Sequence, residues 1–191
     1  MSILQTGLFG ERIPVTISGV MLRQLFHSCS LDYVKSVCHG RCCERKGGIK
    51  VFVHPSECEQ IIGLGVAVVD NFIVTNDNGS CPLKTDDGLC SAHNNKPFGC
   101  KSSPFAMNST GLIIVRNRYR RLRCYKCDGA VPAYEAHRWS LGQIFGESEA
   151  NTIADLAASG ADRIGTTMSS KHYVMMVDNH LTYLHAFDNK E

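Results

Sequence analysis

The sequence predicts an α+β protein: a small, irregular, metal-stapled cysteine-rich domain with short β-hairpins and an N-terminal scaffold over residues 1–129, and a mainly helical C-terminal lobe over 130–191 packed on it. Three observations carry this. All ten cysteines precede residue 129 and gather among turn-forming residues. Short alternating apolar segments flank them, and helical patterns dominate once they stop. A chain of 191 residues suffices for one domain with a proper core, or for one domain with a small appendage.

Taken in order, E-R-I-P-V-T-I over 11–17 alternates as a short strand, with Pro14 confining it to an edge or a strand start. Ser18 can cap a helix running through Met21, Leu22, Leu25 and Phe26, whose spacing gives one apolar face. The run from Ser30 through Lys35 makes a further helical turn that delivers the chain to Cys38. After Gly47-Gly48, residues 49–53 read as a strand, and Pro55 opens a helix with acids near its positive end that stops at Gly63. Val66-Ala-Val-Val and Phe72-Ile-Val form a hairpin across Asp70-Asn71, and 76–80 is a turn. Phe105-Ala-Met and the long arm from Leu112 to Arg123 form a second hairpin around Asn108-Ser-Thr-Gly111.

Beyond Gly129, residues 132–145 and 147–159 read as helices, the second ended by Gly160, and 161–170 as a loop. Lys171-His-Tyr-Val-Met-Met-Val reads as a strand turned by Asp178-Asn179 into a segment from Leu181 that suits strand or helix equally. His137, His172, His180 and His185 show no ligand spacing.

Composition narrows the setting. The first ten residues carry neither a basic n-region nor an apolar run of signal-peptide length, so the cysteines are expected to work in a cytoplasmic setting as thiols rather than as a disulfide framework. No stretch approaches the ~20 apolar residues that span a bilayer, so no membrane is expected. The net charge of +2 names no partner. Phosphate-binding glycine loops, the nucleophile elbow and the zincin motif are all missing from the sequence, which leaves nucleotide-driven chemistry and zincin proteolysis without support.

The chemistry is concentrated in C-P-L-K-T-D-D-G-L-C-S-A-H-N-N-K-P-F-G-C over 81–100. Asp87-Gly88 forces a reversal that can bring Cys81 beside Cys90, His93 follows at C-x-x-H spacing, and Lys96-Pro97 stiffens the approach to Cys100. Upstream, C-H-G-R-C-C sets Cys38, Cys42 and Cys43 around Gly40, which lets the backbone fold tightly. Adjacent cysteines rarely both ligate one ion, so the vicinal pair suits one binding and one packing thiol, two different metals, or a multi-iron cluster. Downstream, Cys124-Tyr-Lys-Cys127 is a compact two-sulfur clamp of the kind found in zinc ribbons. Cys29 and Cys58 are isolated on predicted helical segments and read as ordinary buried thiols.

Taken together, C-x3-C-C followed by C-P-x7-C-x2-H-x3-K-P-x2-C-x3-P, from Cys38 to Pro104, resembles the YkgJ-type cysteine-cluster family, whose members are described as zinc- or iron-chelating. Cys38, Cys42 and Cys43 fall on the family's leading cluster, Cys81 and Cys90 on its middle pair, His93 on an aromatic-or-histidine position, and Cys100 with Pro104 on its closing motif. The family commonly carries one more leading cysteine and an arginine where Lys96 stands. Cys124 and Cys127, outside the pattern, are candidates to replace the missing ligand. The resemblance implies metal or iron–sulfur binding, and some relatives, the flagellin lysine methylases, are modification enzymes.

Two functions follow as expectations. In one, Cys38, Cys42, Cys43, Cys81, Cys90, Cys100, Cys124 and Cys127, with His93, hold iron or an iron–sulfur cluster for redox or group-transfer chemistry on a substrate. Eight thiols exceed the four of a single structural zinc. In the other, zinc only staples a binding module. There the run R-N-R-Y-R-R-L-R over 116–123, taken as a strand, puts Arg116, Arg118 and Arg120 on one face to bind an anionic partner such as nucleic acid.

Overall fold

The computed structural model describes residues 11–44 and 50–188, with side chains as far as residue 182. The expected turn at Gly47-Gly48, the first residue of the 49–53 strand, the side chain of His185 and the first ten residues lie outside that range. Helices and small, mostly antiparallel sheets both occur, which is compatible with α+β.

The longest strand, β1 (Arg12–Ser18), alternates as expected and turns Val15 and Ile17 into the core. The hairpin β2 (Phe105–Met107) and β3 (Leu112–Val115) forms around Asn108, whose Oδ1 accepts from the backbone N–H groups of Thr110 and Leu112 at 3.0 and 2.9 Å. Helices α1 (Arg138–Phe145) and α2 (Glu147–Ala158) meet at Gly146, followed by strand β4 (Arg163–Ser169) and helix α3 (Ser170–Asp188). The four strands form one sheet in the order β2-β3-β1-β4. β1 is therefore interior, so of the two places Pro14 allowed, an edge or a strand start, the edge does not apply. The proline is tolerated because the parallel partner β3 reaches only Thr16 and Ile17, and at Pro14 the sole neighbour is Thr167 of β4.

Four other expectations give way to tertiary packing. The helix from Ser18 stops at Leu22 after a single capped turn, and Leu25–Phe26 instead pairs with Val131–Pro132. The 161–170 loop is β4, whose seven residues pair in full with β1 and bury Ile164 and Met168. Residues 171–177 are helix, not strand. Met175, Met176 and Asn179 are buried at helical spacing, which a short apolar run cannot distinguish from alternation. The helix expected over 132–145 is broken at His137 into Ala133–Ala136 and α1.

Two hydrophobic cores result. The larger draws Ile17, Phe26, Phe105, Ile113, Leu141, Phe145, Ile164 and Met168 from both ends of the chain, so packing is continuous across residue 129. The smaller, with Val51, Val53, Ile61, Val66, Ile73 and Leu83, lies under the loops that carry the central cysteines. Its 66–74 hairpin turns at Asp70 and Asn71, both with positive φ (49° and 62°), as expected. Of the strand expected over 49–53, the described part makes a single bridge, Phe52 to Phe72 of that hairpin.

Candidate metal centre

Each cysteine-bearing loop is fixed by identifiable contacts. Ser30 caps the turn Leu31–Tyr33, which widens into a π turn ending at Cys38. His39 and Gly40 then take left-handed conformations and hand the chain to the 3₁₀ turn Arg41–Cys43. That turn is bound to the next loop in three ways: Glu44 bridges Ser80, the Cys81 N–H donates to the Cys43 carbonyl at 3.0 Å, and Lys84 pairs with Glu44. Gly40 and Gly88 lie backbone against backbone. A Cβ on Gly40 would stand 2.2 Å from the Gly88 carbonyl oxygen, and one on Gly88 would stand 2.5 Å from the His39 carbonyl carbon. The Asp87-Gly88 reversal thus brings Lys84, rather than Cys81, opposite Cys90 in an isolated bridge.

Cys100 sits on the short helix Phe98–Lys101, whose first N–H donates to the Glu57 carboxylate at 3.0 and 3.2 Å. The clamp Cys124-Tyr-Lys-Cys127 is held against 25–27: Tyr125 bridges Phe26, and the His27 N–H donates to the Cys124 carbonyl at 2.8 Å. Lys126, at φ 52°, turns the clamp. The Tyr33 hydroxyl meets the Cys127 sulfur at 3.5 Å.

One cavity of about 210 Å³ collects these loops. Cys29, Cys38, Cys42, Cys43, Cys81, Cys90 and Cys100 line it, with His93, Lys96, Arg118 and Tyr119. Cys124 and Cys127 stand outside this lining, with Cys124 buried in the larger core. Cys29, His93 and Arg118 are exposed and mark where the cavity meets solvent. No sequence signal pointed to Cys29, which lacks any partner at ligand spacing. Its exposure corrects the expectation that it is an ordinary buried thiol. Cys58 is half-buried and outside the cavity lining, its thiol donating to the His54 carbonyl at 3.7 Å.

Among the described residues the lining includes two cations and no carboxylate. Cys42 and Cys43 share a hydrogen bond at 3.9 Å that holds Cys42 down to about 6 and pushes Cys43 well up; Arg118 and Lys96 help to lower Cys42. Burial raises Cys100 and Cys124 to about 12, and it raises Cys81 as well. Lys96 lies 4.4 Å over Trp139, near His93, and its charge lowers the His93 pKa, with burial adding to the effect. Among the described residues no three His, Cys, Asp or Glu side chains stand close enough together to grip an ion.

No family model, curated protein or solved structure matches the chain. The resemblance to the YkgJ-type family therefore rests on the cysteine motif alone. Among the described residues no helix is long and apolar enough to cross a membrane.

The arginine run needs correction. Strand β3 ends at Val115, and Asn117–Arg121 is a 3₁₀ helix, so period two does not apply and the three arginines share no face. Arg116 precedes the turn, Arg118 lines the cysteine cavity, and Arg120 donates to Gln24 Oε1 at 3.1 Å. Buried Tyr119 fixes this choice, because a three-residue turn swings it inward between Arg118 and Arg120, neither of which is buried.

Proposed function

We propose that the chain holds iron, as an iron or iron–sulfur centre, among the thiols of this cavity and uses it for redox or group-transfer chemistry on a substrate arriving past His93, Lys96 and Arg118. The observation that carries the reading is the convergence of seven cysteines, distant in sequence, on one space of about 210 Å³. A single zinc with four thiolates at about 2.3 Å leaves no room inside its ligand shell. This cavity has the volume of several waters at about 30 Å³ each, which suits a multi-iron cluster or a metal with substrate beside it. Lys96 and Arg118 favour the reading too, since gathered thiolates are anionic and positive charge at the wall offsets them. Binding would staple the loops of the smaller core, because the free energy of ligation is then folding free energy.

The zinc-stapled alternative draws support from the Cys124–Cys127 clamp, but its arginine strand is absent. Anaerobic purification followed by metal analysis and a visible spectrum tests the proposal. A brown chain that bleaches on reduction is expected. A colourless chain with zinc alone, or with no metal, would overturn it.

A further inference from the structure

We infer that a second, open pocket, built on residues that neighbour Cys42, Cys43, Cys81 and Cys124 in the sequence, binds the diphosphate group of a small molecule through Arg41, Arg121 and Arg123. The inference goes beyond the metal-binding reading and does not depend on it, because neither thiol nor metal takes part.

The pocket has a volume of about 510 Å³, within the roughly 300–1,000 Å³ of small-molecule sites. Arg41, Arg121 and Arg123 line it with Glu44, Asn78 and Leu122. Two segments distant in sequence meet there: the 3₁₀ turn Arg41–Cys43 with Glu44 after it, and the end of the 3₁₀ helix Asn117–Arg121 with the extended residue Leu122 that follows. Within that helix Arg118 and Arg121 stand one turn apart, so a single segment gives one cation to the cysteine cavity and the next to this pocket. The arginines involved are thus not the Arg116, Arg118 and Arg120 that alternation pointed to.

Charge around the pocket is unbalanced. Three guanidinium groups accompany one carboxylate, and Glu44 is engaged at both oxygens, Oε1 by Lys84 and Oε2 by Arg41 at 3.2 Å. Arg121 is exposed and, among the described residues, has no hydrogen-bond or ion-pair partner; Arg123 donates there only to the Val37 carbonyl, at 3.4 Å. Asn78 accepts from Ser80 through Oδ1, which leaves its amide N–H groups to donate elsewhere. Donors are therefore in excess while the carboxylate acceptor is spent. Like charges around one space repel, and a ligand with several negative charges offsets that repulsion. Guanidinium forks match phosphate oxygens in pairs, and a diphosphate spreads its charge over enough oxygens for three forks, whereas a single carboxylate serves one. Among the described residues no aromatic ring lines the pocket, so it offers a nucleic-acid strand no platform for base stacking. Leu122 supplies an apolar contact for the body of a ligand.

Calorimetric titration of the full chain with pyrophosphate, ADP and citrate at one ionic strength tests the site, with metal content measured before and after so that chelation is not read as binding. Pyrophosphate should bind about tenfold or more tightly than citrate. Tighter binding of ADP than of pyrophosphate marks a diphosphate carried on an organic body, and weaker binding marks a free one. Arg121→Ala should weaken pyrophosphate binding by about tenfold or more. Arg163→Ala, at an exposed arginine of β4 outside the pocket lining, should leave it within about twofold of wild type. Because a variant can fail to fold, the wild-type chain is also treated with phenylglyoxal and mapped by peptide, and pyrophosphate should shield Arg41, Arg121 and Arg123 while leaving Arg163 reactive. Failure of both diphosphates to bind, equal binding of citrate, undiminished binding by Arg121→Ala or absence of shielding would overturn the inference. So would binding of a single-stranded oligonucleotide alone. A chain that purifies without metal but binds pyrophosphate in this way would defeat the iron reading and leave this site standing.

Discussion

Gly40 and Gly88 hold the leading cysteine turn against the central loop, and any side chain at either position would have to push the two apart. Gly88 and Gly65 share a φ of 79°, yet a Cβ on Gly65 meets nothing within 4 Å while one on Gly88 meets the His39 backbone. Gly65→Ala should therefore cost about 1 kcal/mol for its left-handed backbone alone, and Gly88→Ala distinctly more, about 3 kcal/mol or above. Denaturant midpoints of the two variants measure the difference; equal losses would mean the loops are not packed as described. A second residue-scale effect comes from His137. It is buried against the rings of Phe26 and Phe105, and burial lowers its pKa to about 4 from 6.5. The unfolded chain then binds the proton that the folded chain refuses, so stability contributed by the neutral ring is present above about pH 6.5 and is lost as pH falls toward 4. The loss is about 3 kcal/mol at most. Urea unfolding at intervals across that window should show the slope, and His137→Phe should flatten it.

At the scale of elements, the short helix Phe98–Lys101 depends on Glu57, a residue more than forty positions upstream, to satisfy its first N–H. Glu57→Ala leaves that group without its acceptor and should destabilise the protein by about 1–2 kcal/mol. It should also loosen Cys100, read as faster reaction of that thiol with an alkylating reagent, with peptide mapping to locate the label. Unchanged labelling at Cys100 would separate the carboxylate from the cysteine. Elements whose information is local were legible in the sequence. The 66–74 hairpin, the turn at Asn108, the helical turn from Ser30 and the Gly160 stop all rest on residues within a few positions of one another. Those that failed depend on distant partners. β4, with Gly165 and two threonines, has little strand signal of its own and forms because β1 offers seven paired positions. The Arg116–Arg123 run looks extended until Tyr119 finds the core.

For the molecule as a whole, the cysteine motif identified seven of the cavity's residues because ligand spacing is local chemistry: Cys38, Cys42, Cys43, Cys81, Cys90, Cys100 and His93. It missed Cys29 and could not set Arg118 beside the thiols, since only folding brings these together. Nor could the sequence reveal that the cysteines straddle two cores, one continuous from β1 to α3 and one confined to the loops around Val53 and Ile73. That second core is small and loop-rich, so ligation by its thiols should weigh heavily in its stability. Cys90→Ser puts this to the most direct test, with metal per chain and thermal midpoint measured on the anaerobically purified variant beside the wild type. The account predicts that iron content and melting temperature fall together; a variant that retains its full iron content would contradict it.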